Sequence, residues 1–326
     1  MGIPLVEIIN IKKHYPLTSG FVDRFGRNLQ TVKALNGINL AIYKGETLGL
    51  VGESGCGKST LGRVILHLEK PTEGSILFEG KAIGEIKKRS EMKKLRKKMQ
   101  MVFQNPASSL DPRMTVRQIL AEPFEIHCRL TRKELENRIV SLLEMVGLSA
   151  SDIRKYSGDF SDGQKQRIAL VRALSLEPEF IVADEPVSAL DVSVQAQILN
   201  LIKRIQREMH LTMLFISHDL HVVRFLSDRI AVIYLGKIVE LSPTEELYEN
   251  YYHPYSEGLF SSALDLNPEI NFNKFRVKAD VPVSQIHIPS GCVFQQRCPE
   301  AKGSCSQNSP ELKEVSKDHF VACLWR

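Results

Sequence analysis

The feature that most limits the fold of this 326-residue chain is a glycine-rich stretch at residues 52–60, with the sequence Gly-Glu-Ser-Gly-Cys-Gly-Lys-Ser-Thr. It follows an apolar run at 48–51 and opens a run at 61–68 whose apolar residues recur at helical spacing. The pattern G-x-x-x-x-G-K-S between a strand and a helix is typical of a phosphate-binding loop, which makes a plain glycine turn the weaker interpretation. The sequence therefore predicts a nucleotide site.

Backbone N–H groups and the N-terminus of the following helix cradle the phosphates in such a loop, the lysine reaches the β- and γ-phosphates, and the serine binds Mg²⁺. We expect nucleotide contacts from Gly52, Ser54, Gly55, Cys56, Gly57, Lys58, Ser59 and Thr60. Tyr15 follows a strand predicted at 5–11, where its ring can stack on adenine. An ordinary half-buried tyrosine explains that position equally well.

Polar side chains follow three further apolar strands. Asp184 and Glu185 end a buried run that begins at residue 180, Gln104 follows a strand at 99–103, and His218 follows one at 212–216. Asp184 is placed to bind Mg²⁺, Glu185 to act as general base on water, Gln104 to reach Mg²⁺ or that water, and His218 to bind the γ-phosphate. Open α/β sheets bind ligands at the carboxyl ends of their strands, so we expect these groups to converge. For the two acids and for His218, a purely structural role is the alternative.

Two small-residue turns precede helices. Residues 161–164 have the sequence Ser-Asp-Gly-Gln, which has the form of an anion cradle but is also an ordinary helix N-cap. Residues 188–191, Ser-Ala-Leu-Asp, form a tight turn before a long amphipathic run.

Composition indicates a globular protein without membrane spans. The chain is 43% hydrophobic and 25% charged with a net charge of +5, and no apolar run approaches the roughly 18 residues of a span. We expect a cytosolic protein whose membrane contact goes through partners. Residues 87–98 carry eight basic residues and one acid without aromatics, which favours a solvated helix face near anionic headgroups over a nucleic-acid patch.

The order of these motifs over residues 5–240 resembles an ABC-type ATPase domain. The corresponding parts are the Walker A loop (52–60), Q-loop (Gln104), signature motif (161–164), Walker B motif (Asp184 and Glu185), D-loop (188–191) and H-loop (His218). The resemblance implies an α/β fold, with a P-loop ATPase core of mainly parallel sheet, an antiparallel subdomain and a helical subdomain at about 105–160. It also implies a head-to-tail dimer that encloses two ATP molecules, each contacted by the other subunit through Ser161, Gly163, Gln164 and Asp191.

The C-terminal residues resemble the extension of oligopeptide/dipeptide importer ATPases. The matching segments are 253–255, 289–292, 297–299, Cys305 and 319–323, and the insertions at 17–31 and 104–112 also look like that family. This divides the chain into an ATPase domain at 1–240 and an extension at 241–326.

The same resemblance implies a particular assembly. It predicts that the chain is one of two non-identical ATPase subunits of a bacterial peptide importer. The subunits would bind two permeases at the cytoplasmic face of the membrane, and an extracytoplasmic peptide-binding protein would deliver the peptide to the permeases. Nickel complexes or other small solutes are alternative cargoes. A soluble ABC ATPase acting on nucleic acid is a weaker alternative, because no long coiled-coil insertion fits between Ser59 and Ser161.

Four of the six cysteines lie in the tail, with the spacing Cys292-x5-Cys298-x6-Cys305-x17-Cys323. Four thiolates suit either Zn²⁺ or an iron–sulfur cluster. The spacing lacks the paired C-x-x-C of zinc ribbons and is similar to the cluster-bearing tails of this ATPase family. We therefore expect a [4Fe–4S] cluster with a structural role, with zinc or free thiols as alternatives.

The signature motif departs from the family at one position. Asp162 stands where Ser-Gly-Gly-Gln is usual, so a carboxylate lies where N–H groups should meet a phosphate. Like charges 4 Å apart cost about 4 kcal/mol at intermediate dielectric, which predicts slow turnover at the site containing this motif. The alternative is that the side chain turns to solvent and the cradle survives.

Overall fold

The computed structural model describes residues 2–17, 30–105, 109–264 and 284–326, without the side chains of 262–264. These residues form two compact units. The described residues of the first unit lie within Met1–Tyr43, Thr47–Gly84 and Ile216–Arg326, and those of the second lie within Lys44–Glu46 and Glu85–Phe215. Most of the predicted insertion at 17–31 and part of that at 104–112 lie outside the described residues.

Strands and helices are interspersed along the described part of the chain. The strands are β1 (Pro4–Pro16), β2 (Thr31–Tyr43), β3 (Thr47–Val51), β4 (Glu73–Phe78), β5 (Lys81–Ala82), β6 (Met99–Val102), β7 (Phe180–Asp184), β8 (Thr212–Ile216), β9 (Arg229–Tyr234), β10 (Lys237–Pro243), β11 (Lys313–Ser316) and β12 (His319–Val321). The α-helices are α1 (Lys58–Ile65), α2 (Arg89–Lys98), α3 (Val116–His127), α4 (Arg132–Met145), α5 (Asp162–Leu174), α6 (Val192–Met209), α7 (Leu220–Leu226), α8 (Thr244–Glu249), α9 (Pro254–Leu264) and α10 (Ser304–Gln307).

The first unit contains an antiparallel sheet and a set of strands around β3. The antiparallel sheet has the order β2-β1-β4-β5. The other strands follow the order β11-β12-β10-β9-β3, in which β3 lies parallel to β9 and pairs Leu50 with Ala231. All five residues of β3 are buried. A strand that is covered on both faces explains its continuous apolar sequence.

The C-terminal residues are fastened to β10 by a buried carboxylate. Glu240 is fully buried and accepts hydrogen bonds from the backbone N–H groups of Tyr252 and His253, at 2.8 and 3.1 Å. Its Oε1 also lies 2.7 Å from Nε2 of His319, on the neighbouring strand β12. A buried carboxylate is tolerated when its oxygens have such partners, so this network ties the tail to the first unit.

The second unit holds the strands in the order β8-β7-β6 with α2 to α6. Thr115 and Thr131 stand in a run at 115–147 with helical periodicity, which predicts a helix start at each threonine. Helices α3 and α4 do begin after them, and each threonine forms a capping box with the residue at the third helical position. Helix α2 has no buried residue, which confirms that the basic run is a solvated helix face. Among the described residues, no helix is long and apolar enough to cross a membrane.

The capping box of α4 gives a test of local stability. Replacing Thr131 with alanine removes the hydroxyl that accepts a hydrogen bond from the Glu134 N–H group, and we expect the free energy of unfolding to fall by about 1 kcal/mol. Urea unfolding followed by circular dichroism measures this change. The control is Lys133→Ala, an exposed change in the same helical turn, which should shift the midpoint far less. Equal shifts would contradict the capping role.

Candidate functional site

The phosphate loop leaves the buried strand β3 and ends where α1 begins at Lys58. Gly57, the residue before α1, has a φ of +110°, and a Cβ there would lie 2.4 Å from the carbonyl oxygen of Ala34. Both the left-handed conformation and the close approach require glycine. The loop therefore turns tightly into the N-terminus of α1.

The Lys58 side chain lies inside the phosphate loop and hydrogen-bonds its backbone. The side chain is nearly buried, at 6% exposure, and Nζ donates to the carbonyl oxygens of Gly52 and Glu53 at 2.7 and 3.0 Å. A positive charge thus lies within the curl, as anion binding requires. Cys56 is buried, and burial raises the pKa of its thiol, so this residue contributes backbone rather than reactivity.

Tyr15 lies at the end of β1 beside α1. Its hydroxyl hydrogen-bonds Glu69, and Lys13 Nζ lies 4.9 Å from the ring centroid. Burial, followed by the Glu69 hydrogen bond, raises the Tyr15 pKa. The Thr60 side chain also hydrogen-bonds the tyrosine. The ring is half-buried, so both interpretations of this residue fit its position, and it lies next to the phosphate-loop helix.

His218 is held at the edge where the phosphate loop begins. The N–H group of Ser217 donates to the carbonyl oxygen of Leu50 in β3, at 3.3 Å. Asp219 then caps α7, because its carboxylate accepts from the N–H groups of the second and third residues after it. His218 is exposed between these two fixed points, so the first unit brings it to the same strand edge as the loop.

Gln104 and Glu185 meet in the second unit. Strands β6 and β7 are parallel, with Val102 paired to Ala183, so the residues that follow them lie side by side. Nε2 of Gln104 donates to Oε2 of Glu185 at 2.8 Å, and Asp184 beside it is buried. Glu185 has a φ of +46°, a left-handed conformation that costs about 1–3 kcal/mol and is found where the surrounding structure imposes it.

The 161–164 motif forms a helix start. Ser161 caps α5 by accepting from the Gln164 N–H group, while Gln164 Oε1 accepts from the Ser161 N–H group at 3.0 Å. This chain therefore shows the N-cap geometry that the sequence offered as an alternative. Gly163 is required for packing, because a Cβ there would lie 2.4 Å from Cγ1 of Val194 in α6.

Asp162 takes the second of its two predicted orientations. Its side chain is 71% exposed, and Oδ1 lies 3.5 Å from Nζ of Lys165, one turn along α5. A carboxylate in the first turn of a helix is also stabilised by the helix dipole. The carboxylate therefore faces solvent in this chain.

Asp191 acts as the N-cap of α6. Its Oδ1 accepts from the Val194 N–H group at 3.0 Å and from the Ser193 hydroxyl at 2.8 Å. The Val194 hydrogen bond, followed by that of Ser193, lowers the Asp191 pKa, so the carboxylate is ionised. These contacts fix the turn at 188–191 against the start of α6.

The structure thus brings the predicted residues together in two groups. The first unit holds the phosphate loop, Tyr15 and His218, and the second holds Gln104, Asp184, Glu185, Ser161, Gly163, Gln164 and Asp191. Convergence of both groups on one nucleotide stays a prediction.

The four tail cysteines lie near one another. The Cys292 N–H group donates to the carbonyl oxygen of Cys305 at 2.8 Å. Burial raises the pKa of Cys298 to about 11, and the nearby Cys292 and Cys323 add to that shift. None of the six cysteines forms a disulfide, and no group of three or more possible ligands among the described residues is arranged to hold a metal ion.

Sequence reasoning missed three residues that contact the phosphate loop from the C-terminal region. Tyr255 and Arg297 both contact Glu53, and the Gln285 side-chain amide donates to the Gly55 carbonyl oxygen. Tyr255 and Arg297 belong to the segments that resemble the importer extension, so a signal was present. Their partner could not be read from the sequence, because each pairing spans more than 200 positions.

Comparison with known proteins matches two families along the chain. The family described as "ABC transporter" matches residues 35–188, and that described as "Oligopeptide/dipeptide transporter, C-terminal region" matches residues 239–305. A relative from Bacillus subtilis, "Oligopeptide transport ATP-binding protein AppF", is 49% identical over 98% of this chain and 96% of its own length. "Oligopeptide transport ATP-binding protein OppF" of Salmonella typhimurium is 46% identical over 98% and 96% of the two chains.

Solved structures agree with the fold expected from the sequence. The ATP-binding cassette MJ0796, solved as a dimer bound to ADP and Pi, superposes with a TM-score of 0.64 at 30% identity. That match covers 73% of this chain and 98% of MJ0796. The predicted α/β ATPase fold is therefore confirmed.

Gly55 and Gly57 of the phosphate loop provide a matched test. A Cβ at Gly57 would clash with Ala34, whereas a Cβ at Gly55, whose φ is +78°, would meet no atom within 4 Å. We expect Gly57→Ala to raise the Kd for a fluorescent ATP analogue by at least about tenfold, and Gly55→Ala to raise it less. Similar effects of the two variants would contradict the steric argument.

Proposed function

The chain belongs to the family of ATP-binding subunits of oligopeptide ABC transporters, and on this premise we propose that it hydrolyses Mg·ATP to power peptide import across a bacterial cytoplasmic membrane. The observation that carries the hydrolytic part is the Gln104–Glu185 hydrogen bond at the ends of adjacent parallel strands. It holds a carboxylate at the strand edge where α/β proteins bind ligands.

We assign the following roles. The loop at 52–60 and Lys58 bind the β- and γ-phosphates, Glu185 accepts the proton of the attacking water, and His218 donates a hydrogen bond to the γ-phosphate. Gln104 orients Glu185, and Tyr15 stacks on adenine.

Three groups are suited to Mg²⁺, because hydroxyl, amide and carboxylate oxygens are the ligands that this cation prefers. They are Ser59, Gln104 and the buried Asp184. When bound, Mg²⁺ neutralises charge on the β- and γ-phosphates.

The working assembly that we propose contains two non-identical ATPase subunits, two permeases and an extracytoplasmic peptide-binding protein, with this chain peripheral at the cytoplasmic face. The exposed Ser161 and Gln164 at the start of α5 support the pairing of the two ATPase subunits. A helix N-terminus that is open to solvent can bind a phosphate of the nucleotide held by the sister subunit. Residues 1–240 then form the ATPase domain, with its helical subdomain at about 105–160, and 241–326 form the extension. The family match at 239–305 supports that boundary.

We further propose that Cys292, Cys298, Cys305 and Cys323 bind a [4Fe–4S] cluster. The donor set fits, because four thiolates are the usual ligands of such a cluster and these thiols are close enough to influence one another's pKa. A metal centre would stabilise a loop-rich segment that is too small to build a large core alone.

The proposed base is tested by Glu185→Gln, which keeps the size of the side chain and removes its ability to accept a proton. We expect ATP hydrolysis by the assembled transporter to fall by at least about a hundredfold while ATP stays bound. Glu144→Gln, a change at an exposed position of α4, is the control. Normal turnover in Glu185→Gln would contradict the assignment.

The cluster is tested by the iron and sulfide content of anaerobically purified protein and by its absorbance at about 400 nm. We expect Cys298→Ser to lower the iron content and Cys128→Ser, outside the tail set, to leave it unchanged. Stoichiometric zinc without iron would reject the proposal.

A further inference from the structure

Glu53, the second residue of the phosphate loop, uses all its polar groups to hold its position. Its carbonyl oxygen accepts from Lys58 at 3.0 Å, within the loop. Its N–H group donates to the Tyr255 hydroxyl at 2.9 Å, and its carboxylate binds Arg297. The Cys56 N–H group also donates to the carbonyl oxygen, at 3.3 Å. Two of the four partners therefore come from the C-terminal region rather than from the loop.

The Glu53–Arg297 pair has the geometry of a strong ion pair. The two terminal nitrogens of Arg297 donate to the two carboxylate oxygens at 2.8 and 2.9 Å. Such fork-to-fork pairing fixes orientation as well as charge, and lysine cannot reproduce it. The Arg297 side chain is only 14% exposed, and its guanidinium lies 5.7 Å from the Tyr234 ring centroid.

A buried aromatic cluster positions Arg297 beside the phosphate loop. The rings of Tyr234, Tyr255 and Phe294 pack pairwise with centroids 4.6 to 5.5 Å apart. The N–H groups of Arg297 and Cys298 both donate to the carbonyl oxygen of Phe294, at 3.0 and 2.9 Å. The turn that presents Arg297 is therefore continuous with both the cluster and the tail cysteines.

The charge of Glu53 makes this contact matter for nucleotide binding. This loop, which we expect to bind a polyanion, carries the Glu53 carboxylate at its second position. The negative charge of that carboxylate repels the phosphates. Arg297 neutralises that carboxylate and holds it on the side of the loop that faces the C-terminal region. We propose that Arg297 is a positioning residue for the phosphate loop, through which the cysteine-containing tail sets the affinity for ATP. This proposal rests on the proposed function, because it concerns the same nucleotide site.

The test compares the Kd of the full-length protein for a fluorescent ATP analogue with Mg²⁺ in four variants: Arg297→Ala, Arg297→Lys, Glu53→Ala and the double alanine variant. We expect Arg297→Ala to raise the Kd by about tenfold and Arg297→Lys by less, because lysine keeps the charge without the fork. The effect of Arg297→Ala should shrink at high salt, since the half-exposed Glu53 carboxylate is then screened.

The double variant separates this role from a merely structural one. If Arg297 acts by neutralising Glu53, removing Glu53 as well should restore the Kd to within about threefold of Glu53→Ala alone. Loss of packing would leave the double variant no better than Arg297→Ala. The matched control is Arg326→Ala, which removes another ion pair of the tail, 2.7 Å from Glu300, and should not change the Kd.

Two results would overturn the role of Arg297: a Kd within twofold of wild type in Arg297→Ala, or a double variant that binds no better than Arg297→Ala. A wild-type chain that binds no nucleotide would instead overturn the proposed function, and this proposal with it.

Discussion

The ammonium group of Lys58 lies inside the first unit, bonded to the carbonyl oxygens of Gly52 and Glu53. A buried charge without such partners would be costly, so the lysine and the curl of the loop require each other. The curl in turn depends on Gly57, whose conformation and close contact with Ala34 exclude any side chain. Strand β3, buried along its whole length, supplies the rigid base from which the loop departs.

Most of the core could be predicted because its signals are local. The buried strands at 180–184 and 212–216 end where the apolar runs end, and the helices after Thr115 and Thr131 begin at their caps. The loop at 52–60 was predictable for the same reason, since its glycines and lysine are adjacent in sequence. Strand β1 was underestimated: it continues to Pro16 because it pairs with β2 along its length, which propensity cannot show.

The contacts that tune the site could not be predicted, because they join distant residues. Arg297 meets Glu53 across 244 positions. The approach of Gln104 to Glu185 across 81 positions was expected from the strand-end rule, but the hydrogen bond between their side chains was not. The left-handed conformation of Glu185 likewise follows from its surroundings and not from its residue type. Asp191 and Ser161 show a related ambiguity: each caps a helix in the single chain, and the same polar groups are those that the family resemblance assigns to a nucleotide.

We propose that the two groups of residues serve one magnesium-bound triphosphate, which the sister subunit closes over. The most direct measurement is a cryo-EM structure of the assembled transporter with ATP and the Glu185→Gln subunit. We predict that Lys58 and His218 contact the γ-phosphate, that Asp184 and residue 185 lie at the magnesium and the attacking water, and that Ser161 faces the sister subunit's nucleotide. Finding Lys58 and Asp184 in separate neighbourhoods around a bound ATP would contradict the account.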